Sequence, residues 1–185
     1  TLRMTQTTFN LQELCSETIE MFAPLARQKN LSFYSDFNFD PRLSVSSDPL
    51  KLKQIIINIL SNAVKYTSRG GIRLVVELRD DRLEVLIIDS GAGIPEEQIS
   101  HIFKPFGRID KNNTLAEWTG FGMYVVKGLI DLLKGTITIR STERTGTTVE
   151  IQISAPGSTV EATIRYSKHI EVDDEPSFVA MPRDL

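Results

Sequence analysis

The stretch that decides the fold is QIIINILSNAVKYT, residues 54–67. It is apolar, yet Asn58, Asn62 and Lys65 interrupt it at regular intervals. At 100° per residue Leu52, Ile56, Ile59, Leu60 and Ala63 gather on one side, enough apolar surface to dock a helix on a sheet. The two amides and the lysine fall within one broad opposite face, with Tyr66 at its margin. Asp48 followed by Pro49 reads as a cap and a proline at the first helical position. The helix is expected to run to about Thr67, with Gly70 and Gly71 ending it. Amide oxygens can ligate Mg²⁺ or position its waters, and a lysine can meet phosphate oxygens. On this helix alone, a solvent-facing polar stripe is the competing reading.

Upstream, Asn10 with Glu13 forms a capping-box pattern that opens a first helix. Leu11, Leu14, Ile19, Phe22 and Leu25 lie roughly on its inner face, Pro24 is a candidate kink and Asn30 a stop. LSFYSDF, residues 31–37, alternates as a strand. Downstream, IRLVVELR and RLEVLIID are joined by Asp80-Asp81 as a hairpin. A short helix follows the loop DSGAGIPEEQ, and GMYVVKGLIDLLKG predicts a third main helix stopped by Gly135. TITIRST and TTVEIQIS, separated by ERTG, make a second hairpin. Strands in hairpin pairs, interleaved with helices, predict an α/β two-layer sandwich: a mixed, mostly antiparallel sheet with three main helices on one face.

Two glycine loops bear on the polar stripe. IIDSGAGI ends a β-branched strand at Asp89 and places Gly91 and Gly93 at alternate positions. Such glycines let backbone approach a flat ligand and adopt positive φ, and a buried carboxylate there suits an exocyclic amine. In TGFGM, Gly120 and Gly122 directly precede a helix, where N–H groups and the helix dipole favour phosphate. Ordinary turns contain the same patterns, so neither loop decides the matter by itself.

The chain's 41% hydrophobic and 24% charged content is that of a globular protein. A net charge of −3 gives no reason to expect nucleic-acid or anionic-membrane binding. One cysteine and two histidines supply neither an internal disulfide nor an evident metal cluster. No apolar run approaches a membrane span, and cytoplasmic conditions fit best, with a parent protein that is a candidate for membrane anchoring. The start TLRMTQTTFN, without an initiator Met or a signal-peptide apolar region, is expected to be an internal piece of a longer protein.

The ordered set NILSNAVKYT, DSGAGI, IFKPFGRID, TGFGMYVVKGLI and GTTVEI resembles the five sequence boxes of the ATP-binding domain of sensor histidine kinases. The match covers about residues 8 to 155, and the lead-in FNLQELCSETIEMFAPLARQKNL resembles that domain's first helix. The resemblance implies the Bergerat fold, with ATP–Mg²⁺ held between the second helix and a lid. It implies that Asn62 binds Mg²⁺, that Asn58 supports it or the phosphates, and that Lys65 contacts the phosphates. Tyr66 would pack near the adenine or ribose. Asp89 would accept from the adenine amine in a pocket shaped by Gly91 and Gly93. Phe103 and Phe106 would anchor the lid's base, and Arg108 is a candidate γ-phosphate contact. Gly120 and Gly122 would line the triphosphate, and Thr147 would reach the adenine through water. The chain departs from the pattern at Trp118, where family members usually carry glycine, and mildly at Met123.

ATP hydrolases of the gyrase and Hsp90 type share the fold but carry glutamate at the position of Asn58. An amide cannot serve as a general base, so Asn58 favours phosphoryl transfer to a protein side chain over hydrolysis. The resemblance implies a histidine nucleophile on a separate dimerisation hairpin. Neither His101 nor His169 has the expected context, and residues 1–7 read as the hairpin's end or a linker. Residues 8–155 form the ATPase domain and 156–168 a linker. The tail, 169–185, resembles a truncated receiver start with Asp173-Asp174 as its acidic pair, although Pro182 interrupts the expected helix. A plain acidic tail is the alternative. The implied partners are the hairpin of the same protein and a downstream response regulator or fused receiver. A catalytically idle nucleotide-binding scaffold, suggested by Trp118, and a hydrolase remain as rival functions.

Overall fold

A computed structural model describes residues 4–104 and 122–160. Phe106, Arg108, Trp118, Gly120, His169 and the Asp173-Asp174 pair lie outside the described residues. The first elements are β1 (Thr7–Asn10), α1 (Leu11–Gln28), β2 (Ser32–Asn38), β3 (Leu43–Ser47) and α2 (Pro49–Tyr66). They are followed by β4 (Gly71–Arg79), β5 (Arg82–Asp89), the short α3 (Glu96–Ile99) and α4 (Gly122–Leu132). The last three are β6 (Thr136–Thr142), β7 (Gly146–Ser154) and β8 (Thr159–Val160).

The helix ends follow local chemistry. Asn10 caps α1 by accepting from the Glu13 N–H at 2.9 Å. Helix α1 passes through Pro24 without a break. It ends where Asn30 turns left-handed (φ 56°) and the Leu31 N–H reaches back to the Ala26 carbonyl at 2.9 Å. Asp48 caps α2, with Oδ1 3.1 Å from the Lys51 N–H and Oδ2 2.8 Å from the Thr5 N–H. Helix α4 ends differently from the sequence expectation. Lys134, not Gly135, takes the left-handed conformation (φ 54°). Gly135 is required instead by space, since a Cβ there would stand 2.6 Å from the Gln152 carbonyl oxygen.

The main sheet runs β2-β4-β5-β7-β6. Strands β2 and β4 are parallel and the other pairs antiparallel, so the sheet is mixed and mostly antiparallel as expected. Asp80 and Asp81, both at positive φ, make the tight β4–β5 turn. Register puts Leu74, Ile87, Val149 and Ile139 in one row across four strands, and Val76, Val85, Ile151 and Ile137 in the next. Helices α1, α2 and α4 pack on this face, against β2, β5 and β6 and against one another. Leu52, Ile55, Ile56 and Leu60 of α2 are all within 1% of full burial, each worth roughly 1.5–3 kcal/mol. Leu25, expected on the inner face of α1, is 44% exposed; Ala26, one residue on, takes the core position.

A second sheet, β1-β3-β8, was not anticipated from the sequence. β3 pairs antiparallel with both neighbours, and pairing continues to Val160, past Ala155-Pro156-Gly157. No helix among the described residues is long and apolar enough to cross a membrane.

Candidate functional site

Asp89 owes its position to strand parity. Side chains alternate faces along a strand, and the core row of β5 is Leu83, Val85 and Ile87. Asp89 is the next member of that row, opposite Thr147 on β7. Its carboxyl therefore faces the helix layer at the point where the strand ends. The Gly91 N–H donates to Asp89 Oδ1 at 2.8 Å, and the Thr147 backbone N–H also donates to the carboxyl. Burial outweighs these two hydrogen bonds and pushes the Asp89 pKa up to about 6.

The loop after Asp89 is clamped on both sides. The Ala92 N–H donates to the Tyr66 carbonyl at the end of α2 (3.1 Å), and the Ala92 carbonyl accepts from the Arg144 N–H (2.6 Å). The Ile94 N–H donates to Ser141 Oγ at 2.8 Å, and Ser141 Oγ lies 2.8 Å from Thr147 Oγ1. Gly93 sits at φ +67°, where a Cβ would stand 2.0 Å from the Thr142 carbonyl oxygen. Gly146 is equally constrained, its hypothetical Cβ 2.0 Å from the Asp89 carbonyl oxygen. The glycines thus let two loops close on each other around the carboxylate.

In front of Asp89 opens a cleft enclosing about 450 Å³ of empty space, part of it open to solvent. Asn62 and Tyr66, one turn apart on α2, line it together with Asp89, Gly93 and Thr147. The rest of the lining is apolar: Ile59 and Ala63 from α2, Ile139 and Val149 from the sheet, and Ile94, Ile102 and Met123. Asn58, Lys65, Gly91, Phe103 and Gly122 are not among the lining residues. Asn58 is half-buried further back along α2, and Lys65 is exposed with its Nζ 5.3 Å from the Tyr66 ring centroid. Gly91 is buried behind Asp89, and Phe103 packs on the core. Gly122 opens α4, and the position a Cβ would take there has open space for 4 Å around it. The apolar lining was not recognised from sequence, because helix periodicity marks Ile59 and Ala63 as core without saying whether the core is solid there.

The cavity joins a slot walled by aliphatic carbons to a carboxyl with acceptor capacity to spare. A carboxylate offers about four acceptor sites, and two are taken by backbone. Among the described residues no basic side chain lines the cavity. Such a site suits a flat, largely apolar ring bearing an amine. The Asn62 amide, on the far wall, suits a cation or a phosphate oxygen. This fits a purine nucleotide with a divalent cation.

The family described as histidine kinase-, DNA gyrase B-, and HSP90-like ATPase matches residues 47–157, which include α2, the Asp89 loop and β7. The chain belongs to this family. Autoinducer 2 sensor kinase/phosphatase LuxQ of Vibrio cholerae is 31% identical over 156 residues, covering 82% of this chain and 18% of that protein. The solved catalytic domain of histidine kinase ThkA superposes with a TM-score of 0.70 at 28% identity, covering 82% of this chain and 97% of that one. Histidine kinase ThkA in complex with response regulator protein TrrA matches with a TM-score of 0.65 at 27% identity, over 82% of this chain and 42% of that one. Within the family, then, this is the catalytic ATP-binding domain of the two-component sensor histidine kinase type. The chain spans less than a fifth of the length of the curated kinases it matches.

Proposed function

We propose that this domain binds ATP–Mg²⁺ and delivers the γ-phosphoryl group to a histidine on the dimerisation hairpin of its parent protein, which then serves a response regulator or a fused receiver. The observation that carries this is one cavity with a half-buried carboxylate, Asp89, on the sheet side and an amide, Asn62, on the helix side. Asp89 accepts from the adenine amine, Gly91 holds that carboxylate from behind, and Gly93 keeps the loop close to the ring. Tyr66 packs beside the adenine or ribose, and Thr147 reaches the ring through water. Asn62 holds Mg²⁺, with Asn58 behind it, and the cation supplies charge neutralisation at the phosphates. Lys65 and Arg108 meet the phosphates, and Gly120 and Gly122 give them the N-terminus of α4. Phe103 and Phe106 seat the segment that covers the nucleotide. Catalysis is then mostly positioning and electrostatic stabilisation.

Asn58 separates this reading from ATP hydrolysis, since its amide has no basicity with which to activate water. We also take residues 1–7 as the end of the hairpin or a linker, 8–155 as the ATPase domain, 156–168 as a linker and 169–185 as a truncated receiver start, with Thr7 and Thr159–Val160 at the two borders pairing onto β3 of the domain. The working location is the cytoplasmic side, where ATP is available.

Mixing the domain with a histidine-bearing hairpin of its parent and labelled ATP should give acid-labile phosphoprotein. ATP binding without transfer would favour an idle scaffold, and sustained phosphate release without labelled protein would favour a hydrolase. Asp89→Asn should weaken binding through the adenine, and Asn62→Asp should disturb the Mg²⁺-dependent phosphate contribution. Wild-type affinity in both folded variants would sink the assignment.

A further inference from the structure

Thr67 closes α2, and its backbone is fully engaged. Its N–H donates to the Ala63 carbonyl at 3.1 Å and its C=O accepts from Lys29 Nζ at 2.9 Å. The side chain is different. Thr67 is 0% exposed, and its hydroxyl has no hydrogen-bond partner. Buried hydroxyls are rarely left so, because an unmade hydrogen bond is a net loss.

The neighbourhood of that hydroxyl is specific. The point where a Gly91 Cβ would stand is 2.9 Å from Thr67 Oγ1, 2.8 Å from Asp89 Oδ1 and 2.7 Å from the Tyr66 carbonyl oxygen. Three oxygens thus converge on the one residue that has no side chain. The Tyr66 carbonyl already accepts from the Ala92 N–H, and Asp89 Oδ1 from the Gly91 N–H. Thr67 alone brings an O–H with no acceptor. It reaches this point from the end of α2.

We propose that Thr67 is a positioning residue for nucleotide binding: its hydroxyl donates to Asp89, directly or through one ordered water, when the carboxylate engages the ligand amine. The inference rests on the reading of Asp89 as the adenine acceptor. A third donor stabilises the ionised carboxylate and fixes the plane in which it meets the amine. The contact is spent in the bound state, so the ligand-free protein carries an unused donor. Among the described residues the other titratable group lining the cavity is Tyr66, from α2. Thr147 and Val149 of β7, Ile139 of β6 and Met123 of α4 bring no charge to it, and Lys65 stands over the Tyr66 ring.

The test compares Thr67→Val, which keeps the shape and removes the hydroxyl, with Thr67→Ser, which keeps the hydroxyl. ADP with Mg²⁺ is titrated calorimetrically into each protein, and into Asp89→Asn, between pH 5 and pH 8. Thr67→Val should keep or raise the ligand-free melting temperature, weaken ADP about tenfold at pH 7, and leave the pH midpoint of binding, which the ligand-free carboxyl sets, in place. Thr67→Ser should restore the affinity. Wild-type affinity in Thr67→Val overturns the proposal. So does a lowered ligand-free melting temperature with unchanged affinity, which would mark the hydroxyl as structural. If Asp89→Asn weakens ADP while Thr67→Val does not, this inference alone fails. If Asp89→Asn has no effect, the site reading fails and takes the inference with it.

Discussion

Lowering the pH from 7 to 5 should release nucleotide through a single group. Burial lifts the Asp89 pKa to about 6 in the ligand-free domain, and only the ionised form can accept from an amine with both oxygens free of protons. The carboxylate fraction is then about nine-tenths at pH 7 and about one-tenth at pH 5, so affinity should fall roughly tenfold. The phosphates also titrate, so the readout is ADP affinity by calorimetry in the wild type divided by that in Asp89→Asn. That ratio should fall with a midpoint near the Asp89 pKa, and adenosine should follow the same curve without the phosphates. A flat ratio across this range would refute the argument that Asp89 acts as a carboxylate.

The same shift fixes a sign for stability. An aspartate with a raised folded pKa binds its proton more tightly when folded. Its contribution is fully present below the unfolded value near 4 and is lost as the pH climbs through about 6. The loss is at most about 3 kcal/mol for a shift of this size, and less to the extent that water reaches the half-buried carboxyl. Nucleotide binding opposes it by giving the charge a partner. The rise in melting temperature on adding ADP should therefore be larger at pH 7.5 than at pH 5.5.

Gly93→Ala places a Cβ against the Thr142 backbone at positive φ; it should cost about 2 kcal/mol or more in urea unfolding and weaken ADP binding with it. Lys29→Met removes an ammonium that donates to the Val64, Lys65 and Thr67 carbonyls at the end of α2. It should cost about 1–3 kcal/mol, and an unchanged urea midpoint would show that water replaces the cap without loss. Asp48→Ala loses the α2 cap, the tie to the Thr5 N–H and the partner of a mostly buried Lys51, about 2–4 kcal/mol. Burial alone would raise the Asp48 pKa, but hydrogen bonds from Lys51 and Thr5 and the Lys51 charge bring it below the ordinary value. Its stabilisation is thus present above the unfolded pKa and lost as the pH falls through the folded one. Acid unfolding of Asp48→Ala should accordingly be less steep than that of the wild type.

What could be read from the sequence was local. Asp48-Pro49, Asp80-Asp81 and Asn30 each set a helix end or turn through a few neighbouring residues, and the structure uses all three as expected. The second sheet was invisible because its strands are short and pair with partners far along the chain, as Thr7 does with Ser47 and Leu43 with Val160. Lys29 gave no sign of its role for the same reason, its carbonyl partners lying 35 to 38 positions away. Leu25 shows the limit of a periodicity argument: the buried positions of α1 are 11, 14, 15, 18, 22 and 26. Cys15, Thr18 and Ala26 fill them, and a larger apolar residue one step off the stripe stays outside.

The site was legible for a reason that does not depend on any single residue. The alternation that buries Leu83, Val85 and Ile87 continues one step further, so a polar residue at position 89 must face the helix layer. A carboxylate at the end of a core row is costly unless something beyond the row accepts its company. Backbone N–H groups from Gly91 and Thr147 supply part of that company, yet burial still dominates the pKa. The sequence therefore places an incompletely satisfied acceptor at the mouth of an aliphatic slot and, across it on α2, an amide one turn before an aromatic ring. Packing that builds the core and the chemistry of the candidate site are consequences of the same strand register. A slip of one residue in β5 would turn Asp89 to the outer face and abolish both.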